Sequence, residues 1–207
     1  MIEDQLTDGL AGASADVDAG AALMLRFQQG EEACFDALVL RYQRPLTGYM
    51  LRLVRHPGVS EELVQDVFLR VYRSRERYRP QARFTTWLYR IATHLALNYL
   101  RDHRAEARQA SLDEPETEGG HLPDAPDGRP GIETRLMRRE WRRQVQQAIA
   151  SLPERQRAAV ILHKYQEMEY SEIAQALQLS VSATKSLLFR AYEVLRGQLG
   201  QLEAMPG

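Results

Sequence analysis

The stretch Tyr170-Ser-Glu-Ile-Ala-Gln-Ala-Leu-Gln-Leu-Ser-Val-Ser-Ala-Thr-Lys-Ser-Leu-Leu-Phe189 decides the fold. Its period predicts a short helix over 171–177, a turn at Gln178 and Leu179, an N-cap at Ser180, and a long helix from Val181 towards Gly197. Ile173, Ala174 and Leu177 face inward, Leu179 and Val181 plug the corner, and Leu188 packs from the second helix. The small Ala174 lets the two helices cross closely. This is the layout of a helix-turn-helix. Ser182, Thr184, Lys185, Ser186, Phe189 and Arg190 fall in the first half of the second helix, where hydroxyls and cations reach base edges and phosphates in a major groove. A hairpin used only for packing has the same pattern. Gln178 stands in the turn, where Gly or Asn accepts positive φ more easily.

Working back along the chain, Ser151-Leu-Pro-Glu154 reads as a capping box, followed by a helix with Ala158, Val160, Ile161 and Tyr165 in its core. A second helical region lies upstream. Ser60, followed by Glu61 and Glu62, reads as an N-cap and a first turn suited to the helix dipole. Leu63, Val64, Val67, Phe68, Val71 and Tyr72 then form one apolar face. Glu62, Gln65, Asp66, Leu69, Arg70 and Arg73 lie opposite. Phe84, Trp87, Leu88, Ile91, Leu95 and Tyr99 mark another helix, whose off-face residues Arg83, Arg90, His94, Asn98 and Arg101 are polar and mostly basic. Residues 20–30 and 32–55 are helical in pattern, with Pro45 expected to start or kink a segment. No window carries the alternation of a hairpin. The fold class is all-α, with two small helical domains: a four-helix-type unit over 20–107 and a helix-turn-helix unit over 133–200.

Between them, 108–132 is acidic and rich in Pro and Gly, which reads as a flexible linker; 1–19 and 201–207 read as tails. Taken as a total, the formal net charge of −1 over 207 residues argues against a nucleic-acid partner. Partition reverses that inference. Residues 41–104 carry thirteen arginines against five acids, whereas 1–20 carry five acids and no base. Residues 111–127 carry six acids and no base, and 141–207 return to eight bases against six acids. Within the basic module, Arg70, Arg73, Arg75, Arg77, Arg79, Arg83 and Arg90 interleave with Tyr72, Tyr78, Phe84, Trp87 and Tyr89, a composition suited to single-stranded nucleic acid.

The single cysteine, Cys34, reads as core and cannot form an internal disulfide. The five histidines make no metal-ligand or base–nucleophile constellation, and no glycine loop suits a phosphate. No catalytic residue, metal or cofactor is therefore expected. No apolar run is long enough to span a bilayer, so a cytoplasmic protein without membrane insertion is expected.

Glu61-Glu-Leu-Val-Gln-Asp-Val-Phe-Leu-Arg-Val-Tyr72, Phe84-Thr-Thr-Trp-Leu-Tyr-Arg-Ile-Ala92, Leu152-Pro-Glu-Arg-Gln-Arg157 and the segment from Tyr170 to Arg190 closely resemble the extracytoplasmic-function sigma factors of bacterial RNA polymerase, which have sigma domains two and four only. The resemblance covers roughly residues 20–200. It implies that Glu62, Gln65, Asp66 and Leu69 dock on core RNA polymerase. It implies that Tyr78, Arg79, Arg83, Arg90, His94, Asn98 and Arg101 read the minus-ten element of promoter DNA and hold an extruded base. Ser182, Thr184, Lys185, Ser186, Phe189 and Arg190 would read the minus-thirty-five element, and an anti-sigma factor is implied as a regulatory partner. His94 stands where many members have Asn, and Leu187 where a base is common. Two other readings are a stand-alone helix-turn-helix regulator with an N-terminal sensor or dimerisation domain, and a helical hydrolase, which the absent constellations already disfavour.

Overall fold

The computed structural model describes residues 18–103 and 132–203, with side chains described over 18–103 and 139–200. The expected acidic tail before Asp18, the body of the linker and the last residues lie outside the described residues. Among the described residues the chain is helical, with no strand. The helices are α1 (Ala19–Gln28), α2 (Ala33–Val54), α3 (Pro57–Arg73), α4 (Phe84–Asp102), α5 (Ile132–Ser151), α6 (Glu154–Tyr165), α7 (Tyr170–Leu177) and α8 (Val181–Glu203), with a 3-10 turn at Arg75–Arg77.

The N-terminal bundle forms because each helix carries one apolar stripe. Met24 and Phe27 of α1, Leu38, Leu46, Tyr49, Met50 and Leu53 of α2, Val67 and Val71 of α3, and Phe84 and Leu88 of α4 are all fully buried. Each such side chain contributes roughly 1.5–3 kcal/mol by leaving water. Cys34 is buried, as its sequence context implied. Pro45 neither starts nor ends a segment: α2 runs through it from Ala33 to Val54. The gain from burying its long apolar face outweighs one missing backbone bond.

Two expected helix starts fall elsewhere. α3 begins at Pro57, with His56 as N-cap through Nδ1 accepting from Val59 N at 3.3 Å. Ser60 is a buried first-turn residue whose hydroxyl donates to the His56 carbonyl at 2.8 Å. Proline at the first helical position has a preset φ and needs no donor there, so it starts the helix four residues early. Ser151 ends α5 and donates to the Ala148 carbonyl, so its capping box does not form; a capping box is found instead at the start of α7, between Glu169 and Glu172.

The helix-turn-helix is as expected in its core: Ile173 and Leu188 are almost wholly buried, with Ala174 and Leu177 close behind. Gln178 takes a left-handed conformation, φ 55° and ψ 49°, which costs a non-glycine residue about 1–2 kcal/mol. The bond from Leu179 N to the Ala174 carbonyl, 2.9 Å, closes the turn. Ser180 caps α8, its Oγ accepting from Ala183 N at 3.1 Å. Val181 is exposed rather than in the corner, while Leu179 is partly buried against the core.

The two regions pack together into one contiguous apolar cluster that runs from Ala21 to Leu195. α4 lies along α7, and α2 meets α6. Thr86 donates from its hydroxyl to Glu172 Oε1 at 3.0 Å, and the Tyr89 hydroxyl donates to Gln166 Oε1. Arg157 on α6 donates through Nη1 to the Leu53 carbonyl at 2.9 Å, where the negative end of the α2 dipole favours a cation. Arg52 lies 4.2 Å above the Tyr165 ring.

Candidate nucleic-acid interface

Three stripes of side chains remain uncovered by this packing. On α3, Glu62, Gln65, Asp66 and Leu69 recur at i, i+3, i+4 and i+7, all exposed, opposite the buried Leu63, Val64, Val67 and Phe68. Leu69 is 50% exposed one turn beyond Gln65 and Asp66. It offers a partner one apolar contact framed by hydrogen-bonding groups.

The second stripe lies on α4 and the segment before it. Arg83, Arg90, His94 and Arg101 are exposed and Asn98 is half-buried, its amide nitrogen 3.4 Å from the His94 ring. Arg79 is exposed and is steadied by the Tyr78 carbonyl, 2.8 Å from Nη1. Between α3 and α4 is a shallow pocket of about 400 Å³, walled by Arg70, Arg73, Trp87, Arg90, His94 and the Gln178 side of the helix-turn-helix. Arg70 and Arg73 were legible as part of the arginine run. Trp87, which reads as core from its period, is half-buried and gives the pocket an aromatic wall. Guanidinium groups beside a partly exposed aromatic ring suit phosphate and a base plane together.

Tyr78 does not belong to that surface. It is 3% exposed, its ring centroid 5.0 Å from Trp87 and 6.2 Å from Phe84. The Gln28 amide donates to the Arg75 and Glu76 carbonyls at 2.8 and 3.0 Å, and this pins the preceding turn so that Tyr78 points into the core. Burial, with Asp18 and Tyr42 nearby, pushes its hydroxyl up to about 12, and that hydroxyl has no hydrogen-bond partner.

The third stripe is the outer face of α8. Ser182, Lys185, Ser186, Phe189 and Arg190 are exposed, Phe189 to 66%. Thr184 is not part of it. It is fully buried, and its hydroxyl donates to the Ser180 carbonyl at 3.0 Å, because position 184 turns towards α7. Behind this face an open groove of about 1360 Å³ between α5, α6 and α8 is lined by Val145, Ile149, Val160, Leu188 and Leu195. At its edge His163 Nδ1 is 2.5 Å from the Tyr192 hydroxyl, and burial together with Lys164 lowers the imidazole below its ordinary range. Among the described residues no three His, Cys, Asp or Glu side chains gather as metal ligands would, and no helix is long and apolar enough to cross a membrane.

A basic helix beside an arginine pocket, a helix-turn-helix with an exposed cationic face, and a separate exposed stripe on α3 suit a transcription factor that works as part of a larger assembly. Comparison with known proteins specifies the family. Residues 38–106 match the model for sigma-70 region 2, and 142–195 that for sigma-70 region 4. The RNA polymerase sigma-H factor of Pseudomonas aeruginosa is 34% identical over 177 residues, 84% of this chain and 90% of that one. The ECF RNA polymerase sigma-E factor of Haemophilus influenzae is 32% identical over 185 residues, 87% of this chain and 95% of that one. Among solved structures, CnrH in complex with the cytosolic domain of CnrY superimposes with a TM-score of 0.62 at 21% identity, covering 89% of this chain and 99% of that one. The sigma factor RpoE of Bartonella quintana, solved with the anti-sigma factor NepR, gives 0.61 at 19% identity, covering 80% of this chain and 96% of that one. At those identities the likeness is one of fold. The chain belongs to the extracytoplasmic-function sigma factors of bacterial RNA polymerase. Its function is to bind core polymerase and direct promoter-specific initiation, which sets aside the stand-alone regulator.

Proposed function

We propose that the three exposed stripes divide this work. Glu62, Gln65, Asp66 and Leu69 dock on core polymerase. Arg79, Arg83, Arg90, His94, Asn98 and Arg101 hold the minus-ten element, and Ser182, Lys185, Ser186, Phe189 and Arg190 read the minus-thirty-five element. The observation that carries this division is the pocket of Arg70, Arg73, Trp87, Arg90 and His94, which combines cations for the backbone with an aromatic wall for an unstacked base. Arg70 and Arg73 therefore join the minus-ten set. Removing cations here should weaken binding across sequences, whereas removing base-reading groups from α8 should change which sequences are used.

The chain acts without a catalytic site of its own, in the cytoplasm, with chemistry left to the polymerase. Regulation by an anti-sigma factor is supported by the fold shared with RpoE of Bartonella quintana, which was solved bound to one. The test of the division is transcription from a fixed promoter with core polymerase and charge-reversed α3, pocket-alanine or α8-alanine variants. The α3 variants should lose core association, and the pocket variants should lose opening with core association intact.

A further inference from the structure

We propose that the acidic segment before Asp18 occupies the arginine face between α3 and α4 in the free chain, and that single-stranded nucleic acid displaces it on binding there. The displacement rests on the minus-ten assignment above; the docking does not. The segment enters at that face. Asp18 accepts from Phe84 N and, at 3.3 Å, from Thr85 N, so the upstream chain arrives at the first turn of α4. Trp87, the aromatic wall of the pocket, lies one turn beyond, its ring centroid 5.6 Å from that of Phe84. The 17 residues before Asp18 span at most about 60 Å when extended, whereas α4 rises only about 26 Å from Phe84 to Arg101. Every arginine of the face is therefore within reach of the segment.

The charges are complementary. Glu3, Asp4, Asp8 and Asp16 are the charged side chains of the segment, with no Lys, Arg or His among them. Across from its point of entry, Arg70, Arg73 and Arg90 wall the pocket and are exposed, and among the described residues their guanidinium groups have no hydrogen bond or ion pair. Other arginines of the bundle do have carboxylate partners: Arg26 pairs with Glu31, Arg75 with Glu32 at 2.8 Å and Arg101 with Asp102 at 3.0 Å. The pocket thus collects cations that the fold leaves unneutralised, next to the start of a segment that carries only acids. Exposed ion pairs are individually weak. Attachment compensates, because a short tether holds its ligand at an effective concentration on the order of millimolar, so a few weak pairs suffice. A phosphate backbone needs the same cations, and the two ligands therefore exclude each other.

The test uses the full chain. A nitroxide at Thr7→Cys, with the buried Cys34 replaced by Ala, should broaden the Trp87 indole N–H and the backbone amides of Arg90 and His94 in NMR spectra. Salt at about 0.5 M, or Arg70→Gln with Arg73→Gln and Arg90→Gln, should abolish that broadening. Glu3→Gln, Asp4→Asn, Asp8→Asn and Asp16→Asn together should tighten binding of a short mixed-sequence DNA single strand roughly tenfold at low salt, since apparent affinity follows the fraction of chains whose face is free. Asp113→Asn, Glu114→Gln, Glu116→Gln and Glu118→Gln change the net charge equally and should act at most about threefold. Both sets leave the Asp18 cap in place. A labelled chain without broadening overturns the docking. Equal tightening by the two sets reduces the effect to net charge and overturns the competition. Broadening in a protein whose arginine variant binds the strand as tightly as the unmodified chain contradicts the minus-ten reading of the face and leaves the docking standing.

Discussion

The Asp18 carboxylate joins the first turn of α1 to that of α4: one oxygen accepts from Gly20 N at 3.2 Å and the other from Phe84 N and Thr85 N. One side chain thus caps two helices whose starts are 65 residues apart, and it fixes the entry to α4. Asp18→Ala should destabilise the protein by roughly 1–3 kcal/mol in urea denaturation, and Asp18→Asn, still a capping side chain, by clearly less. Equal losses would remove the double cap.

Next to it, a Cβ on Gly20 would lie 2.5 Å from Tyr42 Oη and 2.6 Å from Phe84 Cδ1. Gly20→Ala should therefore cost about 1–3 kcal/mol by overpacking. Gly197→Ala, in open space on α8, should be neutral or stabilising by up to about 1 kcal/mol. Thermal melts of the two variants should move in opposite directions or only the first should move.

Alkaline titration follows from the buried tyrosines. Burial raises Tyr78 and Tyr192 from 10.0 to about 12, and pushes Tyr49 and Tyr89 up as well. Above pH 10 the unfolded chain loses these protons while the native state keeps them. Stability is then fully present below about pH 10 and falls as pH rises towards 12. Tyr78→Phe should remove part of that slope without loss at neutral pH, because its hydroxyl bonds nothing.

Gln65→Lys with Asp66→Lys should reduce association with core polymerase while leaving the melting temperature unchanged, since both side chains are exposed. Unchanged affinity for core would remove the α3 assignment.

On α8 the outer and inner faces should separate by readout. Lys185→Ala and Arg190→Ala should weaken dependence on the minus-thirty-five element, by about 1–3 kcal/mol for each side chain that reads a base edge. Thr184→Ala should instead lower stability, because its hydroxyl is buried on the Ser180 carbonyl.

Local signals account for much of this. Ser180 and the spacing of Ile173, Leu177 and Leu188 are sufficient for the helix-turn-helix, because cap and period agree within a short stretch of chain. The start of α3 was obscured by Ser60-Glu-Glu, a cap signal stronger on its face than His56-Pro57. Tyr78 sits among alternating charges and has no period to mark it as core; Gln28, 50 residues away, sets its direction. The bonds of Thr86 with Glu172, Tyr89 with Gln166 and Arg157 with Leu53 span 77 to 104 residues. Polar residues that meet at such separation leave no pattern in either partner's neighbourhood, so the closed packing of the two regions was not legible.

The most direct test of the central claim is transcription of a genomic DNA library by core RNA polymerase with and without the chain, reading the 5′ ends of the transcripts. The assignment predicts a discrete set of start sites that require the chain, share elements near minus ten and minus thirty-five, and weaken when Lys185 and Arg190 are replaced by Ala. Start sites identical with and without the chain would contradict it.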